Sequence, residues 1–108
     1  MVDRGFKNSI KKEEVYSLIS KIPKGSVSTY GDIAKALGHP HSARAVGAIL
    51  RKNPNPVVVP CHRVIMHNGK IGGYALGTKM KKDLLSEEGL KFQKETLQDL
   101  ELHKIALR

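Results

Sequence analysis

The chain has 108 residues, 40% of them hydrophobic, with two Phe, three Tyr and no Trp. That length and apolar content exclude a disordered chain and point to one domain whose modest core is built mainly from Val, Ile, Leu and Ala. Nineteen Lys and Arg against ten Asp and Glu leave a formal charge of +9, which favours a polyanionic partner such as nucleic acid, a generally basic, soluble surface being the alternative.

No internal repeat or low-complexity stretch divides the chain. Met1-Val2-Asp3-Arg4-Gly5-Phe6 lacks the apolar core of a signal peptide. No apolar run approaches the roughly 20 residues of a membrane span, so no membrane partner is expected. From about Ser9 to Ile22, the residues Val15, Leu18, Ile19 and Ile22 recur at i, i+3, i+4, i+7 and predict an amphipathic helix that Pro23-Lys24-Gly25 stops. Thr29 or Ser28 can cap a second short helix, with Asp32 in its first turn and Ile33, Ala34 and Leu37 on its buried side. Gly38-His39-Pro40 breaks the chain, and Ser42 can cap a third helix through about Arg51. Two short helices across a tight Gly-containing turn read as a helix-turn-helix, whose second helix would face DNA. Such pairs also occur in ordinary helical cores.

Asn53-Pro54-Asn55-Pro56 is turn chemistry, and Val57-Val58-Val59 predicts a short buried extended run leading to Pro60-Cys61. Asn68-Gly69, between Val64-Ile65-Met66 and Lys70-Ile71, predicts a small hairpin. A fourth helix should begin near Thr78, carry Met80, Leu84 and Leu85 inward and end before Gly89. Leu97, Leu100, Leu102, Ile105 and Leu107 suggest one more helix with a less regular face. The expected fold is mainly α with a small β hairpin, a winged-helix-like helix-turn-helix domain over residues 1–90. Residues 91–108 would be a helical extension of that domain, and a monomer is expected.

Cys61 is the only cysteine, so no intramolecular disulfide is available and a reducing, cytoplasmic setting is expected. A lone Cys is ordinarily a small buried hydrophobe; here its neighbours argue for more. Pro60-Cys61-His62-Arg63-Val64 resembles the active-site signature of the O6-alkylguanine-DNA alkyltransferases. In the family's order stand also Val27-Ser28-Thr29-Tyr30-Gly31-Asp32-Ile33-Ala34, Ala43-Arg44-Ala45-Val46-Gly47, Asn53-Pro54-Asn55-Pro56, Gly69, Gly72-Gly73-Tyr74 and Leu84-Leu85-Ser86-Glu87-Glu88-Gly89. The resemblance spans about residues 6 to 90, close to a whole catalytic domain. Two departures stand out: the additional N-terminal domain of many members does not fit in a chain of this length, and residues beyond Leu90 match nothing in the pattern.

The resemblance implies transfer of an alkyl group from guanine O6 in duplex DNA to the Cys61 sulfur. The partner is then double-stranded DNA containing O6-alkylguanine. The thiolate is the competent nucleophile, and an ordinary thiol is mostly protonated at neutral pH. Neighbours in an extended segment point to opposite sides, so contact between Cys61 and His62 is not assured. The family pattern implies a bridging water between them, with Glu88 accepting from the imidazole and stabilising its charged form. Asn53 would brace the turn before Cys61 through hydrogen bonds to backbone. The nucleotide must leave the stack for the chemistry to reach it, and Arg44 resembles the residue that enters the vacated space, with the small Ala43, Ala45 and Gly47 letting its helix approach the groove. Tyr30 corresponds to a phenol beside the flipped nucleotide's phosphate and guanine N3. Tyr74, with Gly72 and Gly73, would wall the base pocket, main-chain groups of Cys61, Val64 and Ala75 reading the base edge. Ala75 and Leu76 stand where other members often have Ser and Gly, and Leu76 is expected to disfavour bulky alkyl groups.

A thioether product has no easy leaving reaction, so the protein should act once, without a cofactor. Cys61, His62 and His67, with His39 and His41, lack the paired spacing of a structural zinc site, and no metal is expected. Two other readings stand beside transfer. Alkyltransferase-like proteins bind alkylguanine without accepting the alkyl group, but typically carry Trp at the cysteine position. A helix-turn-helix regulator with a purely structural Pro60–Val64 would leave the placing of Asn53, His62 and Glu88 unexplained.

Overall fold

A computed structural model of the chain describes residues 10–107. The expected helix start at Ser9, the N-terminal hexapeptide and Arg108 lie outside them. Helix α1 (Lys12–Ile19) buries Val15, Leu18 and Ile19, the stripe its 3.6-residue period demands. Strand β1 (Ser28–Thr29) leads directly into α2 (Tyr30–Ala36), where the Thr29 hydroxyl accepts from the Asp32 amide at 3.1 Å. A cap of this kind is worth about 1 kcal/mol. Helix α3 (Ala43–Arg51) packs across α2 and turns Val46 and Leu50 inward. Ser42 is its first flanking residue, but its hydroxyl makes no capping bond; its carbonyl accepts from the Val46 amide instead.

After α3 the chain makes a single 3-10 turn, Cys61–Arg63, and enters strand β2 (Val64–Ile65). Strand β2 pairs in parallel with β1, Ser28 opposite Val64 and Thr29 opposite Ile65. A parallel pair needs a crossover, and here the helix-turn-helix is part of it. The Cys61–Arg63 turn is thereby tied to the start of α2. Helix α4 (Thr78–Glu87) follows and ends at Gly89, whose φ of +99° closes the helix as only Gly does without strain. Helix α1, the helix-turn-helix, Cys61 and Val64 share one apolar cluster; Val27, Ile65, Leu85, Leu90 and Leu97 form a second.

Four expectations need correction. The Val57–Val59 run is neither extended nor buried: Val57 has φ +77°, and Val57 and Val58 are 48% and 83% exposed. Prolines 54, 56 and 60 deprive the segment of ladder donors, and the Asn55 carbonyl takes the Val59 amide. Asn68-Gly69 does form a tight turn, with the Met66 amide bonded to the Lys70 carbonyl, but Val64 and Ile65 pair with β1 rather than across it. Helix α4 turns Lys81, fully buried, inward together with the expected Leu85, while Met80 is 44% exposed. Finally, residues beyond Leu90 form an antiparallel hairpin, β3 (Phe92–Gln93) and β4 (Thr96–Leu97), and one helical turn, α5 (Leu100–His103). The hairpin grips the Asn68-Gly69 turn, the Leu97 amide donating to the Gly69 carbonyl at 2.8 Å and the Ile71 amide to the Glu95 carbonyl at 2.9 Å. The chain end returns to β1, where Val27 exchanges backbone bonds with His103 and Ile105. Among the described residues no helix is long and apolar enough to cross a membrane.

Candidate functional site

Cys61 opens the 3-10 turn with its thiol only 3% exposed. Asn53, itself buried, turns one amide nitrogen to both the Val59 carbonyl (3.0 Å) and the Cys61 sulfur (3.2 Å). Its carbonyl oxygen accepts from the Asn55 amide at 2.9 Å. Asn53 thus bonds backbone on both sides of its side chain and also the sulfur, a contact the sequence did not foretell.

The turn, not an extended strand, sets the neighbouring side chains. His62 is 1% exposed, and its Nε2 lies 2.9 Å from Glu88 Oε2. Its Nδ1 is buried and makes no hydrogen bond among the described residues. Glu88 sits at the end of α4, where Arg63 grips it with two bonds, Nε to Oε1 at 3.0 Å and Nη2 to Oε2 at 2.8 Å. Burial pushes the Glu88 carboxyl up, but hydrogen bonds from Arg63 and His62 and their charges outweigh it, and it titrates below its ordinary range. His62 is also shifted down, but there burial prevails over the partner. Burial disfavours imidazolium more than Glu88 favours it, and the positive charges of Arg63 and Lys81 add to the effect, so the ring ionises below its ordinary value. A neutral ring donating from Nε2 to a carboxylate carries its lone pair on Nδ1.

A second knot lies beneath Tyr30. The Lys81 ammonium donates to the Val64 carbonyl (2.7 Å), the Gly73 carbonyl (3.0 Å) and the Tyr30 hydroxyl (3.3 Å). Burial brings its pKa down to about 7, with negative charge at Cys61 acting against that drop. Lys81 thus fastens the strand after Cys61 to the Gly72-Gly73 strap and to Tyr30. The Tyr74 ring stands edge-on to His62, centroids 6.4 Å apart.

A cavity of about 630 Å³ opens beside these groups. Tyr30 and Gly31 of α2, Ala43, Arg44, Gly47 and Arg51 of α3, and Gly72 and Gly73 line it. Arg44 is exposed at this rim. A second, small cleft of about 10 Å³ shares Tyr30, Gly47, Arg51 and Gly73 with this cavity and is lined also by Leu50, Tyr74 and Cys61. Cys61 therefore borders the wall that the helix-turn-helix and the Gly72-Gly73 strap share.

The structure brings together Cys61, His62, Glu88 and Asn53, and places Tyr30, Gly73, Tyr74, Ala43, Arg44 and Gly47 along the approach. Three expected residues stand apart. Ala45 and Ala75 line neither cavity, and the Val64 carbonyl is already taken by Lys81. Leu76, 49% exposed, also lines neither cavity, so nothing supports its narrowing the base pocket. Sequence reasoning passed over Arg63, Lys81 and Arg51. Arg63 lay inside the quoted signature, but only the fold shows its grip on Glu88. Among the described residues no group of three His, Cys, Asp or Glu could hold a metal ion.

Residues 11–90 match the family model described as 6-O-methylguanine DNA methyltransferase, DNA binding domain. A methylated-DNA–protein-cysteine methyltransferase of Thermococcus kodakarensis is 52% identical over 81 residues, 74% of this chain and 45% of that protein. The chain spans about half the length of the curated relatives it matches. Among solved structures, Mycobacterium tuberculosis OGT in complex with DNA superposes with a TM-score of 0.70 at 39% identity, over 82% of this chain and 51% of that one. S. pombe Atl1 in complex with damaged DNA containing O6-carboxymethylguanine superposes with a TM-score of 0.75 at 31% identity, over 95% of this chain and 98% of that one.

Proposed function

The chain belongs to the 6-O-methylguanine DNA methyltransferase family, and from that premise we propose that it repairs duplex DNA by moving an alkyl group from guanine O6 to Cys61. One observation carries the reading: Cys61, its sulfur bonded by Asn53, and His62, whose buried Nδ1 makes no bond among the described residues, share one turn, and Cys61 borders a small cleft that Tyr30, Gly47 and Arg51 of the helix-turn-helix also line.

Basic side chains on α3 would hold the phosphates, and Arg44 would fill the stack as the damaged nucleotide rotates into the cavity. His62 Nδ1 would take the thiol proton through a water, giving an imidazolium paired with Glu88. The sulfur then attacks the alkyl carbon from behind. A C–S bond forms, the carbon–O6 bond breaks, and its electron pair leaves on the guanine. The base takes up a proton, for which the Tyr30 hydroxyl would be the donor. The Asn53 amide stabilises the thiolate that attacks. What remains is guanine and an S-alkyl cysteine that nothing on the chain can reverse, so each molecule would act once.

Intact-mass measurement after mixing with a duplex holding one O6-methylguanine tests this. Gain of one CH2 on the peptide containing Cys61 supports transfer, and Cys61→Ala should abolish the gain while retaining binding. A second reading, recognition without transfer, is favoured by the near end-to-end match to Atl1. Tight lesion binding with unchanged mass would establish it instead.

A further inference from the structure

Three separate segments meet at the Arg63–Glu88 pair. His62 and Arg63 reach it from the 3-10 turn, α4 presents it from its C-terminal end, and Arg63 Nη1 also donates to the Ile22 carbonyl after α1 at 2.8 Å. The guanidinium fork is planar and its bond directions are fixed. Held on both carboxylate oxygens, Glu88 has one rotational setting, and in it Oε2 faces His62 Nε2. A carboxylate accepts only, so this setting writes the proton onto Nε2 and the lone pair onto Nδ1, which no described group engages.

Charge points the same way. The groups facing His62 are Glu88 and Lys81 from α4, Arg63 from its own turn, Tyr74 from the strap and Cys61 beside it. A bare carboxylate next to a buried imidazole would draw a second proton onto the ring and close Nδ1. The Arg63 charge, on the same two oxygens, opposes that.

Resting on the transfer reading above, we infer that Arg63 is a positioning residue for the reaction: its two-pronged hold on Glu88 fixes the His62 tautomer and keeps Nδ1 open as the proton acceptor for the Cys61 thiol. Glu88 then steadies the imidazolium only once the thiol proton has arrived. Arg63 itself touches neither sulfur nor base.

The test is a nitrogen-15 NMR titration of His62 in the full chain, alongside single-turnover transfer rates against pH, for wild type, Arg63→Gln and Arg63→Lys. In Arg63→Gln the ring should hold its second proton to higher pH. The acid limb of the rate profile should move up with it by about one pH unit, an approximately tenfold loss on that limb that shrinks at alkaline pH. Arg63→Lys keeps the charge without the fork, so it should restore most of the limb yet show mixed Nδ1–H and Nε2–H forms. It also remains readable should the Gln variant not fold. A rate that falls equally at every pH, with His62 titration and tautomer unchanged in the variants, would overturn the inference and leave Arg63 a structural brace. Absence of any transfer by wild type would instead defeat the repair reading, while the NMR titration still judges Arg63.

Discussion

One amide nitrogen of Asn53 serves both the Cys61 sulfur, at 3.2 Å, and the Val59 carbonyl, at 3.0 Å. The group that holds the loop in place is therefore also the group that bonds the nucleophile, and its two roles separate by substitution. Asn53→Ala loses both bonds and the acceptor of the Asn55 amide, although the Val59 carbonyl keeps the Cys61 amide. It should cost on the order of 1–3 kcal/mol of stability and slow transfer. Asn53→Asp keeps the shape but sets a carboxylate against the sulfur, which opposes thiolate formation. Its single-turnover rate should fall below that of Asn53→Ala at neutral pH even if it melts higher. An Asp variant as fast as wild type would show that the amide only braces the loop.

Lys81 gives a prediction in which the sign can be worked out. Its folded pKa is drawn down to about 7 by burial, from an ordinary 10.5. Between those values the unfolded chain holds a proton that the folded chain lacks. Unfolding free energy should therefore rise with pH across that window, by at most about 1.4 kcal/mol per pH unit. Lys81→Met cannot titrate, so the stability of wild type relative to this variant should climb from pH 7 toward pH 10. Urea midpoints of both proteins over that range check it. A constant difference would mean that the two carbonyls and the Tyr30 hydroxyl keep the ammonium charged throughout.

How much of this the sequence disclosed depended on the kind of signal. The first helix was legible because Val15, Leu18 and Ile19 repeat at helical spacing, the second because Thr29 sits where a cap must sit ahead of Ile33 and Ala34, and the third because Gly38-His39-Pro40 breaks the chain before it. His62, Glu88 and Asn53 were legible as a set only through the resemblance, since 26 residues separate the first two and no local pattern links them. Lys81 was hidden by its own chemistry: a lysine reads as solvated, so Met80 took its inward place. The terminal hairpin was hidden for a backbone reason. Lys94 and Asp99 adopt φ of +56° and +58°, a left-handed conformation announced most clearly by Gly and less so by Asn or Asp; Lys94 carries no such mark and Asp99 only the weaker one.

The strap beside Tyr30 should tolerate substitution very unevenly. Gly72 has φ +76°, and a Cβ there would lie 3.0 Å from the Tyr30 hydroxyl and 3.2 Å from its ring. Gly73 has nothing within 4 Å of such a Cβ. Gly72→Ala should therefore push Tyr30 or the strap out of place, lowering transfer by tenfold or more and stability by about 1 kcal/mol or more. Gly73→Ala should stay within about threefold of wild type, near 0.5 kcal/mol in barrier terms. Affinity for undamaged duplex should be nearly unchanged in both. Equal loss in the two variants would remove Tyr30 from the pocket's working parts.

Arg44 poses a choice between two ways a cation can serve DNA. It is exposed on α3 at the rim of the cavity, with Ala43 and Gly47 beside it. A phosphate contact releases counterions, so its loss should reduce the slope of log affinity against log salt by about 0.9. A side chain that enters the base stack releases few counterions; its loss should leave that slope nearly intact while lesion capture and nucleotide rotation collapse. Arg44→Ala, titrated at several salt concentrations on duplexes with and without O6-methylguanine, reads both quantities, and a fluorescent base opposite the lesion follows rotation. The expected result is a slope changed by much less than 0.9 with a tenfold or greater loss of transfer. The opposite pattern would make Arg44 one more phosphate contact and move the search for the intercalating residue elsewhere along α3.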